Sequence, residues 1–199
     1  MTEEQRFDVV RSYDGWEVRR YPVHIVAEVT VDGDFDDAVS RGFRVLASYI
    51  FGENEGSAKV AMTAPVVQER KSETIDMTAP VIQGPRGTDH VVSFVMPSQY
   101  TMETLPKPNN ADVHLRDVSE HLAAVRQFSG RSTKQRFAEQ LGGLLSRIEA
   151  CHDLEVTGPP SYARFDPPWK PWFLRRNEVV VPVRESGPER TEASRPHRE

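Results

Sequence analysis

The amino-acid sequence predicts an α+β fold in which helices pack against a curved antiparallel sheet. Short segments rich in valine and isoleucine alternate apolar and polar residues, as strands with one buried face do. Two longer segments carry apolar residues at the spacing of amphipathic helices. A shift of the chain by 97 residues superimposes these patterns, so that each half runs strand, turn, strand, Gly, helix, strands. The repeat predicts two equivalent units with a cleft between them, which is a natural place for a ligand.

Two strand patterns open the first half: WEVRRY, which begins at Trp16, and HIVAEVTV, which begins at His24. Asp34 follows at a position suited to capping a helix, because its carboxylate can accept a hydrogen bond from a backbone N–H of the first turn. The next segment, FDDAVSRGFRVLASYIFG, has helical spacing and ends at Gly52. Its predicted apolar face consists of Phe35, Val39, Phe43, Leu46 and Ile50.

The second half repeats this order. Under the 97-residue shift His24 falls on His121, and the strands become VHLRDV and HLAAVRQF. Ser132 or Thr133 is expected to cap the second helix. The predicted apolar face of that helix consists of Phe137, Leu141, Leu144, Leu145 and Ile148. Further strands are predicted after each helix, around MTAPV and VVSFVMP in the first half and in SYARF and NEVVVPV in the second.

Composition argues against several classes of partner. The 199 residues carry a net charge of −5 with Lys and Arg scattered along the chain, so neither nucleic acid nor an anionic membrane surface is an expected partner. No window approaches the roughly 18 apolar residues of a membrane span. The acidic N-terminus MTEEQRFDVV lacks the pattern of a secretion signal. We therefore expect one compact cytoplasmic domain.

The sequence contains no recognisable catalytic or metal-binding motif. Cys151 is the single cysteine, which excludes an intrachain disulfide and a cysteine metal cluster. The six histidines are dispersed and do not form an HExxH pattern, so no metal site is predicted. A nucleophile elbow and a phosphate-binding loop are also absent from the sequence. This pattern favours a binding protein over an enzyme.

The pentapeptide MTAPV occurs twice, at residues 62–66 and 77–81. The copies flank a polar segment and are predicted to form the arms of a hairpin. Proline has no N–H for a β-ladder, so we expect irregular arms at Pro65 and Pro80. A methionine beside such an opening either fills the core or contacts a flat apolar ligand, and the sequence alone leaves both roles open for Met62.

Seven segments together resemble the SOUL, or heme-binding protein, family. In chain order they are WEVRRY, GFRVLASYIFG, AMTAPV, DMTAPV, VVSFVMPSQY, VRQFSG and YARFDPPWKPWFLRRNEVVVPV. The resemblance implies one domain over residues 13–183, with pseudo-repeats at about 13–97 and 112–183. These repeats would be duplicated strand-helix-strand units that form a distorted eight-stranded antiparallel barrel flanked by two helices. Residues 1–12 are then an N-terminal extension, and the charged residues 184–199 are predicted to be a disordered tail.

The resemblance also implies a function. Animal members of the family bind heme or other tetrapyrroles in a shallow apolar pocket without known catalysis, so we expect non-catalytic binding for buffering or transport. One side of the family's pocket comes from the first helix, which here corresponds to Ser40, Phe43 and Ala47. Met62 matches the family's MTxP methionine near the pocket. Other residues of the helix, Arg41 and Arg44, are candidate partners for heme propionates.

The chain departs from the family at the position proposed for an axial histidine. Members with that ligand carry Y-E-[IV]-R-H-Y, whereas this chain reads WEVRRY, with Arg20 in place of the histidine. Arginine stays protonated and does not ligate iron, but its guanidinium matches a propionate well. His24 and His121 belong to the more polar side of their strands and are predicted to face solvent. Heme is therefore expected to bind without a histidine axial ligand.

Two other functions remain open on the sequence. The duplicated two-helix barrel also resembles the effector-binding domains of bacterial multidrug regulators, which hold planar apolar small molecules in the cleft between repeats. An enzyme that moves the metal of a tetrapyrrole or degrades its ring is the other alternative. In the loop DPPWKPWFLRRNE, which predicts a structural corner, Trp169 and Lys170 are secondary candidates for stacking and charge pairing with a flat anionic ligand.

Overall fold

A computed structural model describes residues 3–70, 89–166 and 169–186. The strands in these ranges are β1 (Glu3–Glu4), β2 (Asp8–Tyr13), β3 (Trp16–Tyr21), β4 (His24–Val31), β5 (Thr63–Ala64), β6 (Val66–Arg70), β7 (His90–Val95), β8 (His114–Val118), β9 (His121–Ser129), β10 (Leu154–Val156), β11 (Ser161–Arg164) and β12 (Arg176–Glu185). The helices are α1 (Phe35–Ile50) and α2 (Lys134–Ala150).

Ten of the strands form one antiparallel sheet in the order β2-β3-β9-β12-β11-β6-β7-β4-β8, with β10 added beside β12. The short strands β1 and β5 form a separate parallel ladder. β2 occupies the outer edge of β3, and the described part of the chain places no strand beside the outer edge of β8. The sheet is therefore open, and the predicted closure into an eight-stranded barrel is not confirmed.

Both helices cover the same face of this sheet. α1 packs on β4 and β7, whereas α2 packs on β9, β10 and β12. Strand alternation sends every second side chain toward the helices, where two hydrophobic clusters form the core. Val18 and Phe137 belong to the cluster beneath α2, and Val92 and Phe94 belong to the cluster beneath α1. An antiparallel sheet with two helices is thus confirmed.

α1 lies close to the sheet because a glycine faces it. A Cβ atom at Gly42 would be 2.6 Å from the Cβ atom of Val92, a distance that real side chains do not tolerate. Phe43, which the helical spacing predicts on the buried side, is instead 37% exposed. The buried side of the helix consists of Phe35, Ala38, Gly42, Leu46, Ala47, Tyr49 and Ile50. Small residues on the line of closest approach leave Phe43 at the edge of the contact.

The two helices are capped differently. The Thr133 hydroxyl accepts a hydrogen bond from the backbone N–H of Arg136 at 3.3 Å. Ser132, the other candidate cap, donates its hydroxyl to Asn177 at 2.8 Å instead. Asp34 occupies the N-cap position of α1 but makes no side-chain capping hydrogen bond. Thr133 therefore caps α2, while the expected side-chain cap of α1 does not form.

The first MTAPV copy is interrupted at its proline, as predicted. β5 ends at Ala64 and β6 begins at Val66. β6 pairs with β7 along one edge and with β11 along the other. Because both edges are occupied, the predicted hairpin between the two copies is wrong over residues 66–70. The second copy, residues 77–81, lies outside the described residues.

Both ends of the described chain contribute to the sheet. β2 contains residues that the sequence assigns to an N-terminal extension, and β12 still includes Arg184, the first residue of the predicted tail. Residues 187–199 lie outside the described residues. The order β3-β4-α1 recurs as β8-β9-α2, whereas descent of the halves from one unit stays a prediction. No helix within the described ranges is long and apolar enough to cross a membrane.

Candidate ligand-binding site

The chain offers two candidate sites on opposite faces of the sheet. One is the α1 surface, by which we mean the exposed side chains Ser40, Phe43 and Arg44 together with Ala47, which is buried at their edge. The other is the concave face, opposite the helices, which encloses a cavity of about 370 Å³. Residues from eight strands line this cavity, so the sheet curls around it. Its volume lies within the usual range for small-molecule sites.

The α1 surface carries one aromatic ring between small side chains. Ser40, Phe43 and Ala47 are three and four residues apart and therefore share one side of the helix. The ring of Phe43 meets the buried ring of Phe94 edge-on, with the centroids 5.3 Å apart. Ala47 is 8% exposed, and the Ser40 hydroxyl donates to the carbonyl of Asp36 at 3.1 Å. The side chains around Phe43 thus leave its ring accessible.

The two arginines of α1 differ in their existing contacts. Arg41 pairs with Asp32 at 3.3 Å, and its guanidinium lies against Gly33. Arg44 is exposed and donates its Nε–H to the carbonyl of Ser40 at 3.4 Å. Within the described ranges, no carboxylate lies at salt-bridge distance from Arg44. Of the two, Arg44 is therefore better placed to pair with a ligand.

Met62 and Arg20 lie in different surroundings. Met62 is half-buried and packs against the cluster beneath α1, as Val39 and Val45 of the helix do. Arg20 lies on β3, half-exposed, and pairs with Glu120 at 3.8 Å. In strand order β3 is distant from β4 and β7, which support α1. Met62 therefore packs in the cluster beneath α1, which Phe43 touches through Phe94, whereas Arg20 lies apart from the strands on which α1 packs.

A buried ion pair lies on the concave face. Arg19 and Glu178 are 4% and 3% exposed, and Nη1 of the arginine donates to the carboxylate at 2.8 Å. The ring of Phe7 lies 3.9 Å from the guanidinium carbon. Nη1 of Arg19 also donates to the Tyr21 hydroxyl at 3.4 Å. Burial raises the pKa of Tyr21 to about 12, so this side chain is a neutral wall at physiological pH.

His24 and His121 also line the concave face, so the prediction that they face solvent is wrong. Their ring centroids are 6.0 Å apart. Nδ1 of His24 lies 2.8 Å from the carbonyl of Pro22, and Nδ1 of His121 lies 2.9 Å from that of Ser119. Because a carbonyl only accepts, each Nδ1 carries the proton and each Nε2 keeps a lone pair. Burial lowers the pKa of His24, which favours this neutral form.

Glu69 adds an acidic group to the same cavity. Burial raises the pKa of Glu69, and the positive charge of Arg116 acts in the opposite direction. Arg116 already pairs with a single oxygen of Glu28, at 2.8 and 3.1 Å. No ion pair or hydrogen bond links Glu69 to another side chain in the described part of the molecule. Its carboxylate is therefore open to a ligand.

A second cavity of about 370 Å³ adjoins the first, and Gln5 and His24 border both. The Gln5 amide donates to Nε2 of His24 at 3.1 Å, which agrees with the tautomer assigned to that ring. Met96 and Met102 lie in the wall of this second cavity. The Gln5–His24 contact thus lies at the border between the two cavities.

The loop before β12 is a hydrogen-bonded corner. Asp166 accepts from Nζ of Lys170 and from the backbone N–H of Arg176, both at 2.6 Å. Lys170 is therefore engaged in holding the corner, whereas Trp169 is 84% exposed. Residues 167 and 168 lie outside the described residues.

Sequence reasoning missed the cavity residues Arg19, Tyr21, Glu69 and Glu178. The period of two in WEVRRY already places Arg19 and Tyr21 on the face opposite to Arg20. It does not tell which face is concave, because that depends on β6 lying between β7 and β11. These pairings join residues far apart in the chain, and no local pattern reports them.

A concave, partly apolar cavity of this volume is typical of small-molecule-binding proteins. The sequence model of the SOUL heme-binding protein family matches residues 2–182. Human heme-binding protein 2 is 32% identical over 177 residues, which cover 87% of this chain and 80% of that protein. Heme-binding protein 1 of Xenopus laevis is 26% identical over 148 residues, 73% of this chain and 70% of that protein. The chain belongs to the SOUL heme-binding protein family, and this membership supports heme as its ligand.

Solved structures of low sequence identity share the fold. The C-terminal domain of EcmrR has a TM-score of 0.62 at 14% identity, covering 86% of this chain and 98% of that one. An uncharacterized conserved protein from Listeria innocua has a TM-score of 0.54 at 14% identity, covering 84% of this chain and 92% of that one. These likenesses concern the arrangement of sheet and helices alone.

Proposed function

We propose that the protein binds heme or a related tetrapyrrole at the α1 surface, without catalysis, and buffers or transports it in the cytoplasm. The observation that carries this placement is Phe43, an aromatic side chain 37% exposed on a helix that otherwise buries its large apolar residues. Its ring is held edge-on against buried Phe94, so it does not need to be ordered when a ligand arrives. A fixed ring of this kind suits contact with a flat apolar macrocycle.

The charged side chains favour the α1 surface over the concave face as the site for a tetrapyrrole with propionate groups. Heme has two propionate groups, and a guanidinium pairs well with a carboxylate. Arg44 is exposed beside Phe43, and among the described residues its one hydrogen-bond partner is the Ser40 carbonyl of its own helix. The concave face instead presents the open carboxylate of Glu69, which would repel a propionate.

The residues at the α1 surface fit a tetrapyrrole that is held without a protein ligand to the metal. The sequence of α1 contains no histidine, so apolar contact and propionate pairing would supply the binding energy. Heme would bring a flat apolar ring edged by two carboxylates. Met62 adds a polarizable side chain to the hydrophobic cluster beneath α1, against which the Phe43 ring rests through Phe94. The proposed roles of Arg20 and Arg41 stay predictions, because both arginines already pair with a carboxylate.

We also infer that residues 13–97 and 112–183 descend from one duplicated unit within a single domain. The recurrence of strand, strand and helix supports this. His24 and His121 add a second observation, since each ring donates to the carbonyl of the residue two positions before it. Such local agreement is not required by the fold.

A hemin titration with two matched variants tests the binding proposal. The purified protein should give a saturable one-to-one shift of the Soret band. Phe43→Asp should weaken binding by about tenfold or more, which corresponds to about 1.4 kcal/mol, because it removes the aromatic contact and adds a negative charge. Phe51→Asp is the control, since Phe51 is 65% exposed at the end of the same helix. A shift no larger than that of an unrelated protein, or equal losses in both variants, would refute the proposal.

The variant Arg20→His shows whether the pocket extends to β3. Binding confined to the α1 surface leaves the hemin spectrum of this variant unchanged. A six-coordinate spectrum that the parent protein lacks would instead move the site to β3. The same titration with an iron-free porphyrin shows whether the metal contributes to affinity.

A further inference from the structure

The concave face has an excess of acidic groups. The charged side chains lining its cavity are Arg19, Arg116, Glu69, Glu120 and Glu178. Each arginine is already paired, Arg19 with Glu178 at 2.8 Å and Arg116 with Glu28 at 2.8 Å. These pairs leave Glu69 as the acidic group of the cavity that is half-buried and open. A cavity with this balance attracts a cation and repels an anion.

The histidine and glutamate side chains of the cavity offer hydrogen-bond acceptors. Both histidines use Nδ1–H on a backbone carbonyl and keep a lone pair on Nε2. Nε2 of His24 already accepts from Gln5, whereas no residue in the described ranges donates to Nε2 of His121. The Glu69 carboxylate accepts as well. A ligand that matches these groups brings N–H donors along with its positive charge.

The apolar part of the wall suits a flat ring. Tyr21 and His121 are stacked with their centroids 5.4 Å apart and their planes 21° from parallel. Phe7 leans against Tyr21 at 5.8 Å. Val26 and Val180 lie in other parts of the same wall. The face of a tyrosine ring attracts a cation, so a face of Tyr21 that His121 leaves uncovered is a suitable neighbour for a cationic ligand.

We propose that the concave face is a second binding site, which takes a planar organic cation bearing N–H groups and pairs its charge with Glu69. This site is distinct from the α1 surface, because the sheet lies between them. It also differs in charge preference, since the α1 surface offers Arg44 to an anionic tetrapyrrole. The two sites therefore select different ligands, and a test of one proposed site does not decide the other.

Acidic pH should weaken binding of the cation. Protonation of Glu69 removes the negative partner, and protonation of His24 adds a like charge. Other ionisable groups that face Glu69 are Arg116 on β8 and Glu28 on β4, which stay paired with each other. Burial raises the pKa of Glu69, so this carboxylate takes up a proton at a higher pH than an ordinary glutamate does. Burial lowers the pKa of His24, so this ring stays neutral to a lower pH than an ordinary histidine does. Affinity should rise with pH through the raised pKa of Glu69.

Fluorescence titration with proflavine tests the proposal, because this dye is a planar cation with amino groups. Proflavine should bind one-to-one, and the planar anion anthracene-9-carboxylate should not compete with it. Glu69→Gln should weaken proflavine binding by about tenfold or more. Glu155→Gln is the matched control, since Glu155 pairs with Arg184 on the surface, far from the cavity lining. Acridine orange, whose amino groups are methylated, should bind more weakly than proflavine.

Several outcomes would overturn the proposal. These are equal binding of proflavine to the parent and Glu69→Gln, competition by the anion, and absence of saturable binding. Circular dichroism and thermal unfolding of Glu69→Gln separate a lost contact from a lost fold. Phe43→Asp should bind proflavine as the parent does, so a failure of hemin binding at the α1 surface is distinguishable from a failure here.

Discussion

The two faces of the sheet treat charged side chains in opposite ways. Beside α1, Arg41 and Asp32 pair at 3.3 Å with side chains 42% and 81% exposed. On the concave face, Arg19 and Glu178 pair at 2.8 Å with side chains 5% and 3% exposed. Water screens the first pair, whereas the second has lost its water and depends on its partner. The Arg19–Glu178 pair is thus structural, whereas the Arg41–Asp32 pair remains exposed to water and to ligands.

Removal of Arg19 should have the largest effect on stability. Arg19→Ala leaves Glu178 buried without its partner, which costs about 3–5 kcal/mol of the free energy of unfolding. Arg41→Ala, the matched change at an exposed pair, should cost no more than about 1 kcal/mol. Urea denaturation of both variants measures the contrast. The double variant Arg19→Met/Glu178→Leu should recover most of the loss, and equal losses in the two single variants would show that burial does not separate the faces.

Substitution of a glycine by alanine should have the second-largest effect on stability, with opposite signs in the two helices. Gly42→Ala places a Cβ atom 2.6 Å from that of Val92, so α1 must move away from the sheet at a cost of about 1–3 kcal/mol. At Gly142 of α2 a Cβ atom meets nothing within 4 Å, so Gly142→Ala should stabilise the helix by about 0.5–1 kcal/mol. Thermal unfolding reports both changes. If both variants were stabilised or both destabilised, α1 would not lie closer to the sheet than α2 does.

The helix caps give a smaller contrast. Thr133→Ala removes a hydrogen bond to the first turn of α2 and should cost about 1 kcal/mol. Asp34→Ala removes a side chain that makes no such bond, so only its interaction with the helix dipole, about 0.3 kcal/mol, is lost. Chemical denaturation of the two variants tests this order. A greater loss at Asp34 would indicate that it caps α1 in solution.

The smallest expected effect is a pH dependence from Glu69. Burial raises its pKa in the folded protein, so the unfolded chain releases this proton at a lower pH. The stabilising contribution is complete below the unfolded pKa of about 4.3. It is lost as pH rises through the folded pKa. The free energy of unfolding of Glu69→Gln should therefore increase relative to the parent across that window. Parallel pH curves for the two proteins would mean that Glu69 is not desolvated.

Local patterns were enough to predict the helices and most strands, but not the sheet that joins them. Alternation in HIVAEVTV correctly grouped His24 with Val26, yet this group faces a cavity instead of solvent. The reason is curvature, which arises from pairing between distant strands such as β6 and β11. Arg20 is a candidate through its place in the family motif, whereas the burial of Arg19 beside Glu178 depends on strand pairing that the motif does not report. A residue's side of a strand can be read from its position, whereas the environment of that side depends on long-range pairing.

Hydrogen–deuterium exchange with and without hemin tests the placement of the tetrapyrrole most directly, because it reports protection along the whole chain. We expect hemin to slow exchange in α1, around residues 40–47, and to leave β3 and β9 unchanged. Protection of the cavity strands with no change in α1 would contradict the assignment of the two faces.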